Sequence, residues 1–178
     1  MAAITLRELH EDDWPAIQQC FSDADTVRYT EFETFTEISA RWLVRWALDK
    51  KQEEPRTAFV YGIEVSADAP IVGIATLTVR NPALGEADVG VIIGRDFWGK
   101  GYATAAVQEL LSLGFGTLEL HRISGECDPA NLASARVLEK AGMKLEKYLR
   151  EHRQQKGHWV DRLLYAISDR DWLTRQSN

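Results

Sequence analysis

Cysteine is scarce in this chain of 178 residues, which carries only Cys20 and Cys127. Two thiols in unrelated contexts, with no metal-ligand spacing and no second pair, exclude a disulfide framework and a cysteine-built metal site. Both read as reduced core residues in a reducing compartment. Long apolar runs are missing as well. No stretch reaches the roughly 18 apolar residues that a bilayer-spanning helix needs, and the start MAAITLRELHEDDW lacks a basic flank followed by an apolar core. The expectation is a soluble, cytoplasmic protein with no membrane partner. Positive charge is not in excess: 21 Lys and Arg against 27 Asp and Glu leave a formal net charge of -6. Long phosphate backbones are held by clustered cations, so no nucleic-acid partner is expected. The local sign differs in one stretch, where Arg136, Lys140, Lys144, Lys147, Arg150, Arg153 and Lys156 outnumber Glu139, Glu146 and Glu151. That stretch reads either as a solvated surface or as a place for a small phosphorylated ligand.

What is present is enough apolar material, 45% of the residues, to close one core of ordinary size, so residues 1–178 are expected to form one domain. Ile4 to His10 reads as an opening strand slightly out of register. Glu11, Asp12, Asp13 and Pro15 start a short helix that runs to Phe21. From Thr36 the apolar positions Ile38, Trp42, Leu43, Trp46 and Ala47 fall on one helical stripe that ends at Lys50 and Lys51. TAFVYGIEV, PIVGIATLTVR and ADVGVII then read as three strands of an antiparallel meander. Ala103 to Phe115 is a helix ended near Gly114 and Gly116, His121 to Cys127 a strand, and Asn131 to Ala141 a helix stopped by Gly142. Two strands near Met143–His152 and Trp159–Ile167 complete a mixed α/β (α+β) arrangement of about seven strands and about four helices.

The most informative segment is Asp88 to Ala106, DVGVIIGRDFWGKGYATAA, a strand that enters a glycine-rich turn and then opens a helix. Glycines let successive backbone N–H groups converge on an anion, and the positive pole of a helix N-terminus adds to the attraction. Two nucleotide readings are weakened at specific residues. Gly94, Gly99 and Lys100 match the first part of a Walker A loop, but Gly101 stands where a Ser or Thr must ligate Mg²⁺. Gly99 and Gly101 lack the third small residue of a Rossmann fingerprint, and the preceding strand is assigned to a meander rather than a βαβ unit.

WGKGYA is similar to the pyrophosphate loop of the GNAT superfamily of N-acetyltransferases, with Gly101 and Ala103 at matching positions and Trp98 departing from the usual Gln or Arg. The resemblance continues in ADVGVII before the loop and in CDPANLASARVLEKAGM after it, and it extends from LRELHEDDW to the strand around Asp161–Tyr165. The chain therefore resembles the RimJ/RimL-like group of that superfamily.

The resemblance implies a mixed sheet whose middle strands splay apart, and transfer of an acetyl group from acetyl-CoA to a primary amine, with no metal. The acceptor is either a protein N-terminal α-amine or a small-molecule amine, met by a monomer or homodimer. Val91, Ile92 and Ile93 would present backbone groups to the pantetheine arm, and Trp98, Gly99, Lys100, Gly101, Tyr102 and Ala103 would form the pyrophosphate loop. Asn131 would contact the cofactor arm, Asp88 would be the general base, directly or through a water, and Ser134 would donate to the departing thiolate. Residue chemistry leaves alternatives at several of these positions: an N-cap for Asn131, an ordinary first-turn serine for Ser134, and a solvated strand acid for Asp88. Cys127 as an acetyl carrier has no adjacent base in the sequence. His158, Trp159 and Asp161 are further candidates for an acceptor site. Two other classes stay open, a non-catalytic CoA-binding sensor and a P-loop nucleotide-binding protein.

Overall fold

The structure is a computed structural model that describes residues 2–67 and 69–176. Its centre is one seven-stranded sheet in the order β1-β2-β3-β4-β5-β7-β6, formed by β1 (Thr5–Glu8), β2 (Ala58–Glu64), β3 (Gly73–Asn81), β4 (Glu86–Ile93), β5 (Arg122–Cys127), β6 (Lys144–Gln155) and β7 (His158–Ser168). The β4–β5 pair is parallel and every other neighbouring pair is antiparallel. The helices are α1 (Trp14–Phe21), α2 (Ala24–Val27), α3 (Glu37–Lys51), α4 (Tyr102–Ser112), α5 (Leu132–Ala141) and α6 (Asp169–Gln176). Sequence reading identified α1, α3, α4 and α5; α2 and α6 are additional. Single-turn α2 is set by Asp23, whose carboxylate accepts from the N–H groups of Asp25 and Thr26. Among the described residues no helix is long and apolar enough to cross a membrane.

β4 does two things at once. It closes the expected meander with β2 and β3, and it also leads through α4 into the parallel strand β5. The reading that set the meander against a βαβ unit is corrected here, since a parallel partner demands a crossover and α4 supplies it.

Alternation along β4 divides the molecule. Ala87, Val89 and Ile93 face a core shared with Ala106, Val107, Leu110, Ile123 and Leu138 beneath α4 and α5. The opposite face meets α1 and α3 through Ile17, Phe21, Leu43, Val44, Val60 and Ile74. Fully enclosed side chains such as Leu110 and Ile123, both 0% exposed, stabilise the fold by about 1.5–3 kcal/mol each.

Helix ends follow local chemistry. Thr36 and Ser39 cap α3 reciprocally, and Gly142 at φ 99° ends α5 in the left-handed conformation. The expected stripe on α3 is partly corrected. Ala40, Leu43, Val44 and Ala47 form the buried face, whereas Ile38 and Trp42 are 81% and 58% exposed. Small residues let the helix approach the sheet closely, and the bulky Trp42 stacks on Trp46 along the outside.

Arg7 joins the sheet edge to the first helical turn, donating to both carboxylate oxygens of Asp13 at 2.7 Å and to Glu64. Burial pushes the Asp13 carboxyl up, but the hydrogen bonds from Arg7 and from the His10 N–H outweigh it and hold the group below its ordinary 3.8. A depressed carboxylate contributes stability above its unfolded value and loses it as pH falls through the folded value. Urea unfolding of the wild type is therefore expected to lose up to about 1 kcal/mol from this group below about pH 4. The Asp13→Asn variant should lack that part of the acid limb; an unchanged limb would contradict this assignment.

Candidate active site

The turn after β4 is locked to the sheet at two points. The Gly94 N–H donates to the Val72 carbonyl at 2.9 Å, and the Trp98 indole Nε1 donates to the Ile93 carbonyl at 2.7 Å. Trp98, half-exposed, thus ties the loop back onto the strand that carries Val91, Ile92 and Ile93. Lys100 folds back as well: its ammonium donates to the Asp96 carbonyl at 3.2 Å and lies 5.2 Å from the centre of the Phe97 ring.

Gly99 and Gly101 have φ of 75° and 82°, a region that favours glycine. Gly101 is the N-cap of α4, whose first turn has no acidic residue and no side-chain capping bond. The Ala105 N–H is used by the Gly101 carbonyl at 3.1 Å, which leaves the amides of Tyr102, Ala103 and Thr104 as the helix's orphan donors. Space in front of them is open. A methyl built on Gly99 would meet nothing within 4 Å, and one on Gly101 only Ala2, at 3.7 Å. Converging amides, the positive end of a helix and room for a ligand suit a pyrophosphate.

Next to this loop the sheet opens. β4 and β5 pair only at Glu86–Arg122, Ala87–Ile123 and Asp88–Ser124. Beyond Asp88, Val89 to Ile93 remain paired with β3 but have no ladder partner on the β5 side. The two strands therefore part at the position of Asp88. Its carboxylate is bonded by the Nε and, at 3.1 Å, the Nη2 of Arg80. The same pairing holds the Arg80 guanidinium firmly in its charged form, through the Asp88 hydrogen bond above all. On the other flank of the opening, Asn131 accepts from the Ser134 N–H at 3.1 Å as the N-cap of α5, a bond worth about 1 kcal/mol. Ser134 is half-buried in the first turn, beside Cys127. Burial pushes the Cys127 thiol up to about 11, and Cys20 likewise.

A family model described as the acetyltransferase (GNAT) domain matches residues 3–144. The chain belongs to the GNAT acetyltransferase family. Its dependence on acetyl-CoA as acyl donor follows from that membership. This acetyltransferase is 29% identical over 170 residues to the uncharacterized N-acetyltransferase p20 of Bacillus licheniformis, covering 95% of this chain and 94% of the relative. A GNAT-family acetyltransferase from Bacillus anthracis is 27% identical and superposes with a TM-score of 0.82, covering 96% of this chain and 98% of that one. RimL, a ribosomal L7/L12 alpha-N-protein acetyltransferase solved with coenzyme A, shares the fold at a TM-score of 0.82 and 19% identity, over 94% and 95% of the two chains.

Sequence reading missed three side chains of the acetyltransferase's open face, Arg80, Glu126 and His152, and had Arg153 only as a member of the basic stretch. Glu126 lies two residues past Ser124, where pairing with β4 has ceased. His152 and Arg153 reach it from β6 at 3.3 and 3.4 Å. Alternation in RISGEC could have placed Glu126 on the Ser124 face, but its partners come from β6, a strand that is not its sheet neighbour. The basic stretch is dispersed by tertiary pairing: Lys144 meets Asp171, Arg153 meets Glu126, and Lys156 donates to the Val27 carbonyl at 3.1 Å. Asp161 is occupied by the Tyr148 hydroxyl at 2.6 Å and the Glu151 N–H at 2.8 Å, while His158 and Trp159 are exposed on the β6–β7 hairpin.

Proposed function

We propose that this GNAT protein acetylates a primary amine, a protein N-terminal α-amine or a small-molecule amine, by direct attack within a ternary complex. The observation that carries the reading is the parting of β4 and β5 beside the uncapped N-terminus of α4. The pyrophosphate lies on the amides from Gly99 to Ala103, with Trp98 and Lys100 bracing the loop and Tyr102 opening the helix. The arm runs along Val91 to Ile93 toward the opening, flanked by Asn131. The amine nitrogen attacks the thioester carbonyl, a C–N bond forms, and the tetrahedral intermediate collapses with breakage of the C–S bond. The ammonium proton leaves toward Asp88, and the thiolate takes a proton from the Ser134 side. Arg80 takes one lone pair on each oxygen of Asp88, and the remaining lone pairs accept the proton directly or through an ordered water.

An acceptor panel read by free-thiol release tests this, with N-terminal peptides, amino acids, polyamines and aminoglycosides in parallel. Amine-dependent release is expected; cofactor binding with no release by any amine would favour a CoA-sensing module. Cys127→Ala is expected to leave turnover near that of the wild type, since a buried thiol held in its neutral form is a poor nucleophile. A collapse of turnover in a folded variant would indicate a covalent acetyl-thiol route.

A further inference from the structure

Arg162 on β7 is only 6% exposed, yet no carboxylate of a described residue lies within ion-pair distance of it. Its Nη2 donates to the side-chain oxygen of Gln155, itself buried, and its Nε is enclosed with no acceptor among the described residues. A guanidinium out of water without a counter-charge is costly, and its fork geometry suits a carboxylate.

The surroundings say which side of the molecule this cation serves. Glu126 pairs with Leu164, two residues along β7 from Arg162. The two charged residues are thus diagonal neighbours on one face, about 7–8 Å apart by strand geometry. That face also carries Asp88, because Asp88 pairs with Ser124 and Ser124 alternates with Glu126. The β6–β7 hairpin closes over it toward α2, through Lys156 and the Val27 carbonyl. Glu126 keeps one oxygen, Oε2, enclosed and without a hydrogen bond, although the Arg153 guanidinium stands 3.4 Å away in poor alignment.

We infer that Arg162, backed by Gln155, receives the carboxylate of the acceptor, with the reacting amine on the Glu126 side, so that the acceptors are small amino carboxylates of the amino-acid type. A cation and an anion set diagonally across two strands match a zwitterion whose charges are a few bonds apart. A polyamine would bring a second positive charge to Arg162, and a peptide N-terminus would bring a neutral amide there. The inference rests on the amine-transfer reading above and narrows its acceptor class.

The test compares each amino acid with its carboxamide and with the amine left by decarboxylation, using thiol release at fixed acetyl-CoA. For the wild type, kcat/KM for the amino acids is expected to exceed that for both derivatives by roughly 10- to 100-fold, the worth of one charge-assisted pair. Arg162→Gln should erase the difference, and Arg162→Lys should restore part of it, since an ammonium lacks the fork. A second measurement needs no turnover: amino carboxylates should raise the Tm of wild type and leave that of Arg162→Gln unmoved. Equal rates on amino acids, carboxamides and decarboxylated amines overturn the inference, as does equal use of peptides without acidic side chains. If no amine releases thiol, the transfer reading fails and the Tm shift alone decides: its presence only in wild type keeps the carboxylate site, and its absence removes it.

Discussion

Gly101→Val is expected to raise the Kd for acetyl-CoA by at least about 100-fold, equivalent to about 2.7 kcal/mol, in a protein that still folds. Two effects combine. The residue has φ 82°, where a β-branched side chain is strained by about 1–3 kcal/mol, so the variant either holds that strain or rotates the amides of Tyr102 and Ala103 off target. The added side chain also projects into the space in front of α4, where only Ala2 lies nearby, at 3.7 Å. Because the added Cβ clashes with no neighbouring element, the fold should be retained, with the melt lowered by no more than the strain, while binding is lost. Titration calorimetry with CoA, alongside a circular dichroism melt, separates the two. Lys100→Ala is the contrast: its ammonium is engaged with the Asp96 carbonyl and Phe97, so only a few-fold weakening is expected. A folded Gly101→Val protein with wild-type affinity would remove the pyrophosphate from this loop.

Asp88→Asn is expected to lower kcat/KM by on the order of 100-fold near neutral pH while leaving the CoA Kd nearly unchanged. The base acts on the amine, so binding and rate should separate. Loss should be greatest at low pH, where nearly all of the acceptor carries its proton, and the variant should approach wild type as pH rises through the acceptor's own ionisation, roughly 7.7–8.0 for an α-amine. Asparagine keeps the size of the side chain but leaves the Arg80 guanidinium without its carboxylate, so the double variant Arg80→Gln with Asp88→Asn is the needed companion. If the double variant recovers turnover, the single loss came from an unpaired cation at the opening. Full activity of Asp88→Asn at every pH would make Asp88 a structural acid and leave deprotonation to bulk solvent. Ser134→Ala should show a milder loss, because water can protonate a thiolate.

Local sequence was enough for features that depend only on neighbouring residues. Gly99, Gly101 and Gly142 announce left-handed turns, Asn131 and Thr36 announce helix starts, and the order of strands and helices from Thr57 to Ala141 follows from periodicity and these breaks. What alternation could not supply was the identity of the neighbouring strand. DVGVII reads the same whether its far side is paired or open, and only tertiary structure shows pairing to β5 ending at Asp88–Ser124. Hydrophobicity along α3 likewise favoured Ile38 and Trp42 as core, whereas the distance to the sheet selected Ala40, Val44 and Ala47.

By itself, then, the sequence determined the glycine loop, the helix caps and the succession of elements, because these are set by backbone sterics and hydrogen bonds within a few residues. Tertiary structure decided the partners of the charged groups, Arg80 on Asp88, His152 and Arg153 on Glu126, and Arg162 enclosed beside Gln155. The Arg80 and Arg162 contacts form within the β3–β4 and β6–β7 hairpins, whereas the Glu126 contacts depend on β7 inserting between β5 and β6, which places side chains distant in sequence on one face. Coulombic and solvation energies are set by distances in space and by enclosure, and neither is encoded in the spacing of residues along the chain.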